Sequence, residues 1–367
     1  MRARLEQFLH RAWQTDNLFT RAVWPLSIGY AAVVARRRAG VLRQPERVHH
    51  ETIPVVVVGN LYIGGTGKTP VTIALVQALQ QRGWHPGVIS RGYGAKPGEK
   101  PRVGAGALEA ALFGDEPALI AAQTGAPVSV HPDRPAAMRR LRRHYPNVDV
   151  VISDDGLQHL ALGRDLEIIV QDARGIGNGR LLPAGPLRES ADRLRSADFI
   201  INNLQAGESR PNVDTGPAHV VDMTLAPAVV EHLETGERVD WHEWLSRHGK
   251  KRCTAVAAIG RPQRFFAMLR EHGLQCEQEL GLPDHYDYDE SPFDALTADC
   301  VVVTPKDAVK CRRFSDARLY CVHPAATFSN AAWLDLIHDM LRAISVRKHT
   351  MEAAEPVNFD LRPGQHG

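Results

Sequence analysis

The chain has 367 residues, long enough for about two domains at roughly 150 residues each. Apolar residues make up 44% and charged residues 23%, which excludes a disordered tail and a multi-span membrane protein. With 44 Lys+Arg against 42 Asp+Glu the formal charge is +2, so composition gives no basis for a dedicated nucleic-acid binder.

Charge is unevenly placed. Residues 1–50 carry nine Arg, no Lys and three acids, Glu6, Asp16 and Glu46. Within them an uncharged run from Ala22 to Ala35 leads straight into Arg36, Arg37 and Arg38. These fourteen residues reach about 21 Å as a helix, short of the ~30 Å hydrocarbon core, and Pro25 and Gly29 interrupt them. Two readings stay open for this segment, set at 1–49. It lies in a membrane interface, with Trp24 and Tyr30 at headgroup depth and the arginines on anionic phosphates, or it packs on the protein's own core. The start lacks the basic, apolar, small-residue pattern of a cleavable signal.

From Pro54 short β-branched runs alternate with helical stretches. Strands are expected at 55–58, 87–90, 128–130, 148–152, 166–170 and 199–201, with a helix over 69–82. After a Gly- and Pro-containing stretch at 207–217 come strands at 255–259, 300–303 and 319–322 and helices near 262–272 and 331–344. The alternation predicts parallel βαβ units, a parallel sheet with helices on both faces at 50–215, and a second, smaller α/β domain at 216–350. A polar tail with two prolines is set at 351–367. Cys253, Cys276, Cys300, Cys311 and Cys321 are odd in number and form no C-x-x-C pair, which fits a reducing cytoplasm better than a disulfide framework or a zinc ribbon.

The sharpest local pattern is Gly64-Gly65-Thr66-Gly67-Lys68-Thr69, between the 55–58 strand and the helix. Glycines let backbone N–H groups turn in around phosphate oxygens, and the helix N-terminus adds partial positive charge. Lys68 would bridge the outer phosphates, and the Thr69 hydroxyl would ligate Mg²⁺. The strict phosphate-loop spacing asks for Gly at position 62, where this chain has Tyr62. The packed glycines are similar to the variant loops of partitioning and metallochaperone ATPases, whose signature Lys is replaced here by Ile63. A second carboxylate for the metal is expected at Asp154-Asp155-Gly156, at the carboxyl end of the 148–152 strand. Three residues beyond Asp155, Gln158 would order the metal's water shell.

Gly59-Asn60 before the loop, Ser90-Arg91-Gly92-Tyr93-Gly94, Gly114-Asp115-Glu116-Pro117, Asp154-Asp155-Gly156-Leu157-Gln158-His159 and Leu182–Glu189 together resemble the tetraacyldisaccharide 4′-kinase family of lipid A biosynthesis. Pro283-Asp284-His285 and Thr304–Lys310 extend the match over most of the chain. One departure is Tyr286, where paired histidines are common in the family. The resemblance implies a two-domain α/β architecture of phosphate-loop type and transfer of the ATP γ-phosphate to the 4′-hydroxyl of an acylated glucosamine disaccharide 1-phosphate. It also implies Mg²⁺ and work at the cytoplasmic face of the inner membrane.

A sugar hydroxyl needs a group to accept its proton as the phosphoryl moves. By its residues alone, Asp115 reads equally as a helix cap. The resemblance makes it the catalytic carboxylate, aided by His285 some 170 residues away. If both serve one site, the cleft lies between domains and closes to react. His285 with Asp287, Asp289 and Glu290 also leaves a metal cluster open. Asn60, Arg91, Arg188 and Glu189 are candidate contacts to ATP or the lipid 1-phosphate. Lys306-Asp307 resembles the base-reading Lys-Asp pair of other phosphate-loop proteins, with a strand-end salt bridge as the alternative. The competing function is a nucleotide switch or metallochaperone-type NTPase acting on a protein; the kinase reading implies no obligate protein partner and no nucleic acid.

Overall fold

The computed structural model describes residues 8–95 and 98–354. Its strands are β1 (Val55–Gly59), β2 (Pro86–Ser90), β3 (Arg102–Gly104), β4 (Val128–Val130), β5 (Val150–Asp154), β6 (Leu166–Asp172), β7 (Phe199–Asn203), β8 (His219–His232), β9 (Arg238–Asp240), β10 (Cys253–Ala257), β11 (Gln278–Gly281), β12 (Cys300–Val303) and β13 (Leu319–Phe328). They form one sheet in the order β11-β10-β12-β13-β8-β7-β6-β1-β5-β2-β4-β3, with β9 paired to β8. Most pairs are parallel, as the strand–helix alternation predicts. The antiparallel exceptions are β3 on β4, β9 on β8 and β13 on β8.

Alternation along β1 shows how both faces are covered. Val56 and Val58 join a core with Val71, Leu75 and Leu79 of the helix Lys68–Gln81 and with Ile120 of the helix Asp115–Thr124. Val55 faces the opposite side with Met138 and Leu141 of the helix Arg134–His144, and Val57 with Leu187 and Leu194. A strand buried on both faces has no polar face to show, hence its unbroken run of valines. In the later half Ala255 packs on Trp241, Trp244 and Phe266, while Val256 packs on Tyr288 and Phe293.

The long β8 lies outside the expected strands, and the reason is local. Pro227 stands within it directly opposite Pro324 of β13, where the ladder shifts register after His323. Two prolines cannot donate to the ladder and ordinarily mark an edge or a bulge, so the pattern argues against a strand there. β8 nonetheless pairs with β7 on one side and β13 on the other, which carries the sheet without a break across residue 215. The terminal helix runs Trp333–Ala354, beyond the expected 344. Its Trp333, Ile337, Leu341 and Ile344 return to the core of the first half. Of the polar tail set at 351–367, residues 355–367 lie outside the described residues.

The apolar N-terminal run forms most of a 20-residue helix, Trp24–Arg43, with Pro25 in its first turn, where its missing N–H costs nothing. One face is seated on the protein. Ser27 Oγ donates to Leu181 O and accepts from Ala184 N, both at 2.9 Å, and Tyr30 Oη donates to Arg188 O at 3.1 Å. Tyr30 is therefore spent on the protein, whereas Trp24, Leu26, Ile28 and Val33 are exposed. Among the described residues no helix is long and apolar enough to cross a membrane.

Because the terminal helix fills the first core, Leu341→Ala should destabilise by about 2–5 kcal/mol, read as a lower urea midpoint. Met351→Ala, on an exposed turn of the same helix, should stay within about 0.5 kcal/mol of the parent.

Candidate active site

β1 ends under the glycine loop, and the helix Lys68–Gln81 starts directly after it. Gly67 has φ +99°, and a Cβ there would come within 2.2 Å of Asn203 Nδ2, so only glycine fits. Asn203 donates to Thr66 O at 3.0 Å, bracing the loop from the end of β7. Asn60, expected as a substrate contact, is fully buried instead. Its amide nitrogen donates to Tyr62 O and Gly64 O, and its oxygen accepts from Lys68 Nζ at 3.1 Å. Tyr62, which breaks the strict spacing, is buried with the Arg174 guanidinium 4.1 Å above its ring, and Arg174 donates to Gly65 O at 3.1 Å.

The two acids after β5 occupy different surroundings. Asp154 is fully buried, accepting from Thr72 Oγ1 and Ser90 Oγ; burial first, then the Glu116 charge, push its pKa up to about 7. Asp155 turns outward on a left-handed residue, φ +47°. Burial would raise its pKa too, but Lys68 at 3.5 Å and Arg188 at 3.0 Å outweigh it and hold it at about 2. The residue that faces the phosphate loop as a carboxylate is thus Asp155, with Asp154 behind it. Gln158 accepts from Arg188 and donates to Glu189 Oε1 at 2.9 Å. Glu189 is buried beside Arg193, with Arg38 of the N-terminal helix 4.0 Å away. Arg91 is exposed at the end of β2, where its charge acts on Arg134 and His159.

Asp115 and His285 meet. His285 Nδ1 is 2.9 Å from Asp115 Oδ2, and Lys310 Nζ is 2.8 Å from the same oxygen. Asp115 opens its helix without any side-chain cap bond to the backbone, so the capping alternative is not realised. Burial would raise its pKa, but the hydrogen bonds of His285 and Lys310 and nearby lysine charge keep it below the usual carboxylate range. His285 itself sits at φ +61°, an uncommon backbone for a branched ring side chain. Lys306 Nζ lies 3.3 Å from His285 Nε2 and 2.9 Å from Asp284. An ammonium can only donate, so Nε2 is the acceptor in that contact and Nδ1–H faces Asp115.

Two sequence expectations need correction. Asp307 does not face a base: it is buried, accepts from Thr304 Oγ1 at 2.6 Å and from Ala258 N at 3.2 Å, and Thr304 in turn caps its helix. Lys306 points instead to Asp284 and His285. Among the described residues, no group of three or more His, Cys, Asp or Glu is placed to hold a metal ion, so the 285–290 cluster is not one.

These groups share a cleft of about 1980 Å³ that includes Gly64, Lys68, Thr69, Asp155, Arg188, His285 and Lys306. Its rim is tied across the two halves by Asp172 at the end of β6, which pairs with Arg174 at 2.7 Å and with Arg261, beyond β10, at 2.8 Å. No role was read from the sequence for Lys310, Asp172, Asn203 or Arg261. Their roles depend on partners between 89 and 195 residues away, for which a single sequence carries no signal.

The family model described as tetraacyldisaccharide-1-P 4′-kinase matches residues 19–342. A tetraacyldisaccharide 4′-kinase of Bordetella petrii is 52% identical over 338 residues, 91% of this chain and 95% of that one. One of Herminiimonas arsenicoxydans is 42% identical, covering 94% and 98%. Among solved structures, an "apo" form LpxK from Aquifex aeolicus in complex with ATP is similar with a TM-score of 0.72 at 25% identity, over 88% of this chain and 100% of that chain.

For Asp172, burial alone would raise the pKa, but Arg174 and then Arg261 hold it below 3.8. A depressed carboxylate contributes stability above its unfolded pKa and loses it as pH falls through the folded one. Asp172→Asn should therefore cost about 3 kcal/mol near neutral pH, as for a broken buried pair. In urea titrations its gap from the parent should narrow as pH drops below 3.8; a gap independent of pH would refute the ion-pair account.

Proposed function

The chain belongs to the tetraacyldisaccharide 1-phosphate 4′-kinase family, and on that premise we propose how its cleft works as an ATP-dependent phosphotransferase. The reaction moves the γ-phosphate of ATP to the 4′-hydroxyl of a tetraacylated glucosamine disaccharide 1-phosphate. The carrying observation is that Asp115 and His285, 170 residues apart, bond at 2.9 Å beside the cleft that contains the phosphate loop. The relatives' names set aside the nucleotide-switch alternative.

The loop amides and the N-terminus of the following helix cradle the donor phosphates. The Thr66 hydroxyl is buried there without a protein partner, a donor suited to a phosphate oxygen. Lys68 supplies the positive charge that offsets charge shifting toward the leaving phosphate. The hard oxygen donors Thr69 and ionised Asp155 fit Mg²⁺, which when bound would neutralise phosphate charge. Asp154 backs Asp155, while Arg188, itself bonded by Gln158, orients it.

On the acceptor side His285 turns toward the cleft, and Asp115 lies behind it. As the 4′-oxygen bonds to the γ-phosphorus, the bond to the β,γ-bridging oxygen breaks and ADP departs. The hydroxyl proton passes to His285 Nε2 as Lys306, already bonded to Asp284 at 2.9 Å, gives up its longer contact with the ring, and the imidazolium is stabilised by Asp115. Lys310 keeps Asp115 ionised for that task. The two halves already meet at this pair, so proton transfer asks for placement of the acceptor more than for a large closure.

The N-terminal segment supports peripheral docking at an anionic membrane surface. Trp24, Leu26, Ile28 and Val33 are exposed on a helix whose last turns carry Arg36, Arg37 and Arg43. Apolar burial and basic residues, each worth ~1 kcal/mol near an anionic leaflet, add together.

Lys68→Ala should lower kcat on the order of 10²-fold or more; near-normal turnover would remove the phosphate-loop assignment. Asp115→Asn should keep ATP affinity. Combined with His285→Gln it should cost about as much as the worse single change, since coupled groups are non-additive. For docking, Leu26→Ser with Ile28→Ser should move the protein out of floated anionic vesicles while activity on a short-chain soluble acceptor persists. Unchanged flotation would leave the helix a purely structural role.

A further inference from the structure

The β8–β13 ribbon contains a buried carboxylate that the reaction does not use. Glu231 is 3% exposed and is approached from three sides. Arg238 Nη2 of β9 lies 3.0 Å away, His323 Nε2 of β13 lies 2.9 Å away, and the Arg312 guanidinium bonds the other carboxylate oxygen. Burial would raise the Glu231 pKa, but Arg312, His323 and Arg238 together hold it below the usual range.

Two of these contacts lead out of the ribbon toward the active site. Arg312 is the C-cap of the helix Pro305–Cys311, which carries Lys306 and Lys310. His323 Nδ1 is 3.2 Å from the amide nitrogen of Gln123, in the last turn of the helix that Asp115 opens. An amide N–H only donates, so Nδ1 accepts and the His323 proton sits on Nε2, toward Glu231. The imidazole is thus a neutral connector between carboxylate and amide. The two helices also pack on each other, and Lys310 Nζ meets Asp115 at 2.8 Å. A closed circuit results: Asp115, its helix, Gln123, His323, Glu231, Arg312, the second helix, Lys310 and back to Asp115.

We propose that Glu231 is a positioning residue for phosphoryl transfer. Through His323–Gln123 on one arm and Arg312 on the other, it sets the spacing of the two helices that present Asp115 and Lys310. It thereby sets the aim of the Asp115–His285 pair, and so rests on the reading of that pair given above. A buried carboxylate suits this task, because once out of water it depends on its hydrogen-bonding partners and so holds them in place. A misplacement of about 1 Å at reacting groups costs roughly 10²-fold, so a partial loss of spacing is readable in turnover.

Glu231→Gln would strip two arginines and an imidazole of their partner and threaten folding, so the arms are cut instead. Arg312 is 45% exposed and Gln123 half-buried, and Gln123→Ala and Arg312→Ala leave the core intact. kcat is measured at saturating ATP with a soluble acceptor, at a temperature where circular dichroism shows every variant folded. Each single change should lower kcat on the order of tenfold, with the KM for ATP within about twofold of the parent. The double variant should be no slower than the worse single one, and Arg312→Lys should recover most of the loss of Arg312→Ala. Parental kcat in either single variant, multiplicative losses in the double, no recovery with lysine, or a KM for ATP rising in step would overturn the proposal. Asp115→Asn in the same assay separates the two readings. If it retains parental kcat, the pair reading itself fails; if it is inactive while the arms are neutral, only the Glu231 proposal fails.

Discussion

One buried carboxylate, Asp115, joins the two halves of this molecule beside the cleft that contains the glycine loop. It accepts from His285 and from Lys310, both on the later half, while its own helix packs on the core of the first half. Burial alone would push Asp115 toward its neutral form, and the two partners reverse that. The same bonds fix the imidazole tautomer and bring the later half down onto the cleft. Ionisation, ring orientation and closure of the halves are three consequences of one contact.

At the phosphate end the same physics divides two adjacent acids. Asp154 and Asp155 are neighbours in sequence, yet one has a pKa of about 7 and the other of about 2. Asp154 has only hydroxyl donors within bonding distance, so desolvation wins. Asp155 lies against Lys68 and Arg188, so opposite charge wins. The left-handed backbone at Asp155 makes the difference possible, because it turns the second side chain outward where a continued strand would alternate it into a core. Lys68 is thereby already countered by a carboxylate and by Asn60.

The connection between the halves is also the least expected piece of the sheet. β8 and β13 form a long antiparallel ribbon inside an otherwise mostly parallel sheet, with opposed prolines at its register shift. Side-chain contacts on Glu231, four residues along β8 from Pro227, link the ribbon to the helices that carry Lys310 and Asp115. At the other end, the N-terminal helix uses Ser27 and Tyr30 to clasp the segment that leads to Arg188. Its outward apolar side chains and Arg188 are thus on opposite faces of one small unit.

What the sequence determined by itself was everything that depends on near neighbours. Valine runs too apolar for a half-exposed strand specified β1 and β5, and glycines at 64, 65 and 67 before Lys68 specified the phosphate loop. Acids at a strand's end specified Asp154-Asp155, and the order of short motifs specified the family. What only the tertiary structure decided was which groups meet across long separations. Asp307 carries the right residue type for reading a base, yet a hydroxyl three residues back and the Ala258 amide just past β10, 49 residues away, turn it inward. Asn60 looks like a ligand contact until two loop carbonyls take both its N–H groups and Lys68 takes its oxygen inside the core. Lys310 and Glu231 read as ordinary charges until folding removes them from water and leaves each a partner from another element. A polar side chain's role is set by what remains to satisfy it once water is excluded, and that inventory exists only in the folded chain.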